Sequence, residues 1–133
     1  MSQYEKVLLT FLTITTQIKL YHWQTLSHPR HTASGELYTQ LDELVDKFIE
    51  SLQGRLILET NNSNFRILLN DRMNTITLKN YNDNDALALI LNIKTYLESG
   101  ELSFIINKFS DLVNIKDEML AIINKYSFLF SLK

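Results

Sequence analysis

The chain contains no cysteine. That excludes disulfides, thiolate metal sites and cysteine nucleophiles. It has one proline and three glycines in 133 residues, with neither GxGxxG nor GxxxxGK[ST] among them. Nucleotide binding through a glycine-rich loop is therefore excluded. HExxH and the GxSxG nucleophile elbow are also missing. Lys and Arg form no run, and the formal net charge is -2. Charge alone thus gives no drive toward nucleic acid or an anionic membrane, and a DNA-associated role ranks last. The apolar run of the opening segment MSQYEKVLLTFLTITTQIKLY is short, bounded by Glu5, Lys6 and Lys19, and no small-residue cleavage site follows it. It reads as a helix of a soluble protein, not as a membrane span or signal peptide, and the expected location is cytoplasmic.

Nearly half of the chain is hydrophobic, and these residues are spread over its whole length. One domain over 1–133, with one core, fits this size. Val7, Leu8, Phe11, Ile14, Ile18 and Tyr21 recur every three or four residues, which predicts a first helix over about Gln3 to Gln24. LSHPRH should break it at Pro29. A second helix is expected to start between Thr32 and Ser34, to carry Leu37, Leu41, Leu44, Val45, Phe48, Ile49 and Leu52 on its core face, and to stop at Gly54. Residues 55–81 hold two Asn-rich turns, and FRILLNDRMNTITL between them suits a short helix or a β-hairpin equally. A third helix is expected over about Asp83 to Glu98, ended by Gly100, and a fourth over about Ser110 to Tyr126. LSFIINKF at 102–109 is read as a separate turn or an early start of the fourth. The apolar tail SFLFSLK should pack on the bundle or on another subunit. The fold class is all-α. Two helices, a long link and two further helices suit a four-helix bundle with a crossover between the second and third.

All three histidines, His22, His28 and His31, lie within ten residues, and none follows. Asp42, Glu43, Asp46 and Glu50 come next on the second helix. Asp46 and Glu50 are one turn apart on a shared face, and Asp42 extends the row. Imidazole with carboxylate suits iron, zinc or manganese. A di-iron centre inside one bundle takes Glu-x-x-His from two helices, and the third and fourth helices have no histidine. A metal site would therefore belong to the first two helices, at an interface between subunits.

These residues carry a resemblance. K-x-x-H-W at the end of the first helix, a second histidine after a short linker, and L-D-E-x-x-D-x-x-x-E on the next helix resemble the ferritin-like mini-ferritins that protect DNA in starved bacteria, the Dps family. HWQTxSxxRHxASGxLYxxLD is similar to an uncharacterised ferritin-like family of large DNA viruses. The first resemblance implies a ferritin-like four-helix bundle that binds and oxidises Fe(II) and sequesters iron, working as a homo-oligomer built on a two-fold dimer. It implies His22 and His31 as nitrogen ligands from one subunit and Asp46 and Glu50 as carboxylate ligands from the other, with Fe bound, or Zn or Mn in its place. Trp23 matches the neighbour of the histidine in that family's motif; Asp42 and Glu43, beside the carboxylate pair, and Arg30, as a partner for a carboxylate of the second helix, are read as supporting residues. The second resemblance implies a viral protein, in the host cytoplasm or the virion. The histidines are nine residues apart here against about twelve in the Dps family, and Thr32 stands where that family has Glu.

Each residue also has a structural reading. His22 could bond a carboxylate or a helix-end carbonyl while Trp23 packs. His31 could be an ordinary N-terminal helix residue, and His28 an exposed loop residue. Asp46 and Glu50 could form a solvated face paired with Lys47 or Arg30. The competing function is then a non-enzymatic structural or interaction protein, such as a virion component, on the same fold.

Overall fold

The computed structural model describes residues 2–71 and 74–132, and Arg72 and Met73 of the crossover lie outside it. Among the described residues five α-helices form: α1 (Gln3–Gln24), α2 (His28–Thr60), α3 (Ala86–Leu97), α4 (Gly100–Ile106) and α5 (Ser110–Ser131). Among the described residues there is no strand, so the all-α class holds.

The first helix has the expected bounds. The Ser2 side chain accepts from the Glu5 amide at its start. The second helix is longer at both ends than its sequence suggests. Ser27 caps it by accepting from the Arg30 amide, which puts Pro29 in the first turn. There a missing N–H is harmless and the fixed φ suits a helix. Gly54 does not stop the helix. Its penalty of roughly 1 kcal/mol is small beside the burial of Phe48, Leu52 and Leu56, which are at most 5% exposed on the same helix. Termination falls instead at Asn61, in the left-handed region at φ 51°.

From Asn61 to Asn82 the described residues form neither of the elements expected there, only turns and irregular chain. Side chains of α1 hold this crossover along the length of that helix. Glu5 accepts from the Asn70 and Asp71 amides and from Asn74 Nδ2, at 3.1, 3.2 and 2.8 Å. Gln17 donates to the Thr77 carbonyl, and Gln24 bonds Asn80 and the Tyr81 amide. The crossover thus carries the chain from the start of α1 back to its end. A 3₁₀ turn over Asp83–Asp85, with an Asn82/Asp85 capping box, leads into α3. Gly100 does not merely follow α3; it opens α4, which Ser99 caps.

These anchors fix the helix directions. Arg55 near the end of α2 donates two bonds to Asp111 at the start of α5, and Arg30 at the start of α2 donates to the carbonyl of Phe130 near the end of α5. Hence α2 and α5 are antiparallel. The tight corner makes α1 and α2 antiparallel, and the crossover makes α3 run with α2. The directions of α1, α2, α3 and α5 are up, down, down, up.

One core joins them. Phe11 lies 5.0 Å from Phe48 and 5.6 Å from Tyr96 between ring centroids, and Tyr21 and Tyr126 both meet Phe130 edge-on. The tail expected to pack on the bundle or on another subunit continues α5 as far as Ser131, and its Phe130 is buried in the core.

Candidate functional site

The corner between α1 and α2 spans only Thr25 to Ser27. It folds the last turn of α1 onto the first turns of α2, so that His22 and His31 stack face to face with ring centroids 4.0 Å apart and 15° between planes. Each ring is tied to the other residue's backbone: His22 Nδ1 lies 2.7 Å from the His31 carbonyl oxygen, and His31 Nδ1 lies 2.9 Å from the His22 carbonyl oxygen. A carbonyl only accepts, so both Nδ1 atoms carry the proton. In the neutral form of each ring the free lone pair is then on Nε2. Neither Nε2 has a hydrogen-bond partner among the described residues.

Two residues that the sequence did not mark as site residues complete this corner. Ser34 is fully buried; its hydroxyl donates to the His31 carbonyl and lies 3.2 Å from His22 Nδ1. It does not cap α2, which begins at His28, but sits well inside it. Gly35 faces the His22 ring so closely that a Cβ there would lie 2.8 Å from Cε1. Ser34 could have been suspected from its three-residue spacing to Leu37 on the core face; nothing local marks Gly35. Tyr38 lies next to His22, at 6.0 Å between centroids.

The expected carboxylates are elsewhere. Asp42, Glu43, Asp46 and Glu50 are all exposed. The first three line an open groove of about 380 Å³ between α1 and α2, beside Leu8, Leu12 and Ile49. His31 and Asp46 are on one continuous helix, and fifteen residues at 1.5 Å each separate them by about 22 Å. No group of three or more His, Asp or Glu converges on a metal-sized point among the described residues. Trp23, a proposed neighbour of the site, is 65% exposed, with Lys19 Nζ lying between its ring and that of Tyr38 at 5.3 and 5.4 Å. His28 is exposed, as expected, although it is helical.

Arg30 does not reach Asp46 or Glu50. It donates to the Tyr21 hydroxyl and the Phe130 carbonyl, and its guanidinium stacks 4.8 Å from the Phe130 ring. The same network holds Asp83, which accepts from Thr25 and from Tyr21. The Thr25 bond, with Tyr21 and the Arg30 charge in support, keeps the Asp83 carboxyl below its ordinary value, and burial pushes the Tyr21 hydroxyl up. This cluster mounts the corner: Tyr21, Thr25, Arg30 and Asp83 are bonded to one another, and Arg30 also to the Phe130 carbonyl.

No helix among the described residues is long and apolar enough to cross a membrane. No curated protein and no solved structure matches the chain. A model described as a family of unknown function (DUF5856) matches residues 22–130, from His22 through the carboxylate row to the end of α5. That span is most of the chain, which therefore belongs to the family of unknown function DUF5856.

Proposed function

We propose that the chain is a ferritin-like metal-binding protein whose site is completed between two copies. The observation that carries this is the pair of stacked imidazoles whose Nδ1 atoms are satisfied by backbone and whose Nε2 atoms are left open. A histidine with its Nδ1–H donated to a backbone carbonyl is oriented as metal-ligating histidines are. The up, down, down, up path with a single long crossover supports the ferritin-like reading.

Two rings stacked with 15° between planes direct their lone pairs along near-parallel planes. One ion cannot lie in both, so each Nε2 would serve its own ion. The remaining ligands are Asp46 and Glu50 of a second copy. Two α2 helices crossing antiparallel about a two-fold axis midway between His31 and Asp46, near Tyr38 and Thr39, bring the histidines of one copy to the carboxylates of the other. The groove flanked by Leu8, Leu12 and Ile49 supplies apolar surface for that contact. Iron, or Zn or Mn in its place, suits this donor set; bound Fe(II) would be the substrate of oxidation by oxygen or peroxide, with sequestration of the product in a closed oligomer.

Calorimetry with Fe(II) under anaerobic conditions, and with Zn(II), tests the proposal. Binding is expected, and loss of it in both His22→Ala and Asp46→Ala. A protein that binds neither ion, or a His22→Ala variant that binds as before, would sink it.

One observation favours a second reading, a structural or interaction protein such as a virion component. The two histidines already clasp the ends of α1 and α2 through reciprocal bonds, a role that needs no metal. Elemental analysis of the purified protein separates the two.

A further inference from the structure

The His22 ring lies directly against the backbone of α2, and only the missing side chain of Gly35 makes the room. An added Cβ would stand 2.8 Å from Cε1, 3.2 Å from Nδ1 and 3.5 Å from Nε2. Gly35 sits inside a helix with a negative φ, so neither a turn nor an unusual backbone conformation calls for glycine there. Glycine weakens a helix interior, and the one use the surroundings make of it is to admit the imidazole. Gly54 on the same helix has nothing within 4 Å of its would-be Cβ, so closeness to a neighbour is not general on α2.

We propose that Gly35, with Ser34, is a positioning residue for His22: Gly35 sets how close the ring approaches α2, and Ser34 fixes its rotation. Ser34 is a fully buried polar residue whose hydroxyl donates to the His31 carbonyl while its oxygen faces the His22 Nδ1 proton. That proton is thus shared between the His31 carbonyl at 2.7 Å and Ser34 Oγ at 3.2 Å. One arrangement of protons satisfies all of these atoms, and it leaves Nε2 of His22 bare, on a ring stacked against that of His31. The consequence for metal rests on the proposed function above; the placement of the ring does not.

The test uses Gly35→Ala, with Gly54→Ala as the matched control on the same helix. The new methyl meets the movable end of a side chain, so Gly35→Ala should fold. Long-range 1H–15N spectra of the imidazoles report the tautomer without any metal. The unsubstituted protein and Gly54→Ala should show both histidines with the proton on Nδ1. Gly35→Ala should show His22 displaced from that form, with the ring contacts to His31 lost. Unchanged His22 signals in Gly35→Ala would overturn the positioning role. Titration with Co(II), read by its visible absorption, gives the second measurement. Gly35→Ala should bind about 10-fold or more weakly, the range for residues that orient a ligand, and Gly54→Ala should bind as the parent does. If His22→Ala removes Co(II) binding while Gly35→Ala keeps the parent affinity and spectrum, the positioning inference fails and the metal reading survives. If no variant or parent binds Co(II), the metal reading fails, and the tautomer spectra alone decide the role of Gly35.

Discussion

If two copies share the site, the register of the contact follows from helix geometry and can be measured as a series of distances. The two-fold axis that brings His31 to Asp46 of the other copy crosses α2 halfway between them. A residue on α2 and its symmetry mate are then displaced along the helix in opposite directions, so their axial separation grows by about 3 Å for every residue away from the axis. The chain has no cysteine, so a single introduced one carries a spin label without further change. Glu43, Lys47 and Leu58 are exposed on α2 and lie progressively farther from the axis. The axial separations expected between labels are about 14 Å at Glu43→Cys, about 26 Å at Lys47→Cys and about 59 Å at Leu58→Cys, each added to a lateral offset between the two helices. Pulsed dipolar spectroscopy reads this range. Distances that stay flat or fall from residue 43 to 58 would refute the antiparallel register, and the absence of any dipolar coupling at concentrations where metal binds would refute the shared site.

Asp83 holds the Tyr21 hydroxyl, which is buried with its ring; Asp83→Ala should cost about 1–3 kcal/mol by leaving that donor unpaired, and Asp83→Asn, which keeps an acceptor oxygen, should lose less, as read by urea unfolding. Glu5 is held below the ordinary carboxylate value by the bond from Asn74 and then by the Asp71 and Asn70 amides, with burial opposing. A carboxyl depressed on folding stabilises above its unfolded value and loses that contribution as the pH falls through its folded one. Glu5→Gln should therefore flatten the loss of stability as the pH falls below the ordinary Glu value of about 4.3, and an unchanged acid limb would contradict the role assigned to it. Gly54→Ala should raise stability by about 0.5–1 kcal/mol, since its site is open and helical; a lower melting temperature would mean the site is not open.

The first helix was legible because its stripe from Val7 to Tyr21 is regular and its ends fall at polar residues. The second was misjudged at both ends for one reason. Pro29 and Gly54 are local signals worth at most a few kcal/mol, and each is read correctly only once the cap at Ser27 and the burial of Phe48, Leu52 and Leu56 are known. The Gly100 signal was half right: a break does occur there, but Ser99 uses it to begin another helix. The crossover stayed undecided because its backbone is held by Glu5, Gln17 and Gln24, residues some sixty positions earlier, and no window of sequence contains both partners. The clustering of histidines pointed to the corner between α1 and α2, where two of the three stack. The stack itself, and the part of Gly35 in it, depend on how two helices meet, which spacing along the chain does not encode.

Arg30 immediately precedes His31, and its side chain is fastened at Tyr21 of α1 and at the carbonyl of Phe130 on α5. The first turn of α2 is thereby mounted on three points, as an optical element is, and is not hinged on the corner alone. The angle at which His31 meets His22 is referenced to the far end of the chain. A protein shortened before Phe130 would keep its first two helices and all its histidines, yet would lose the reference against which those histidines are aligned.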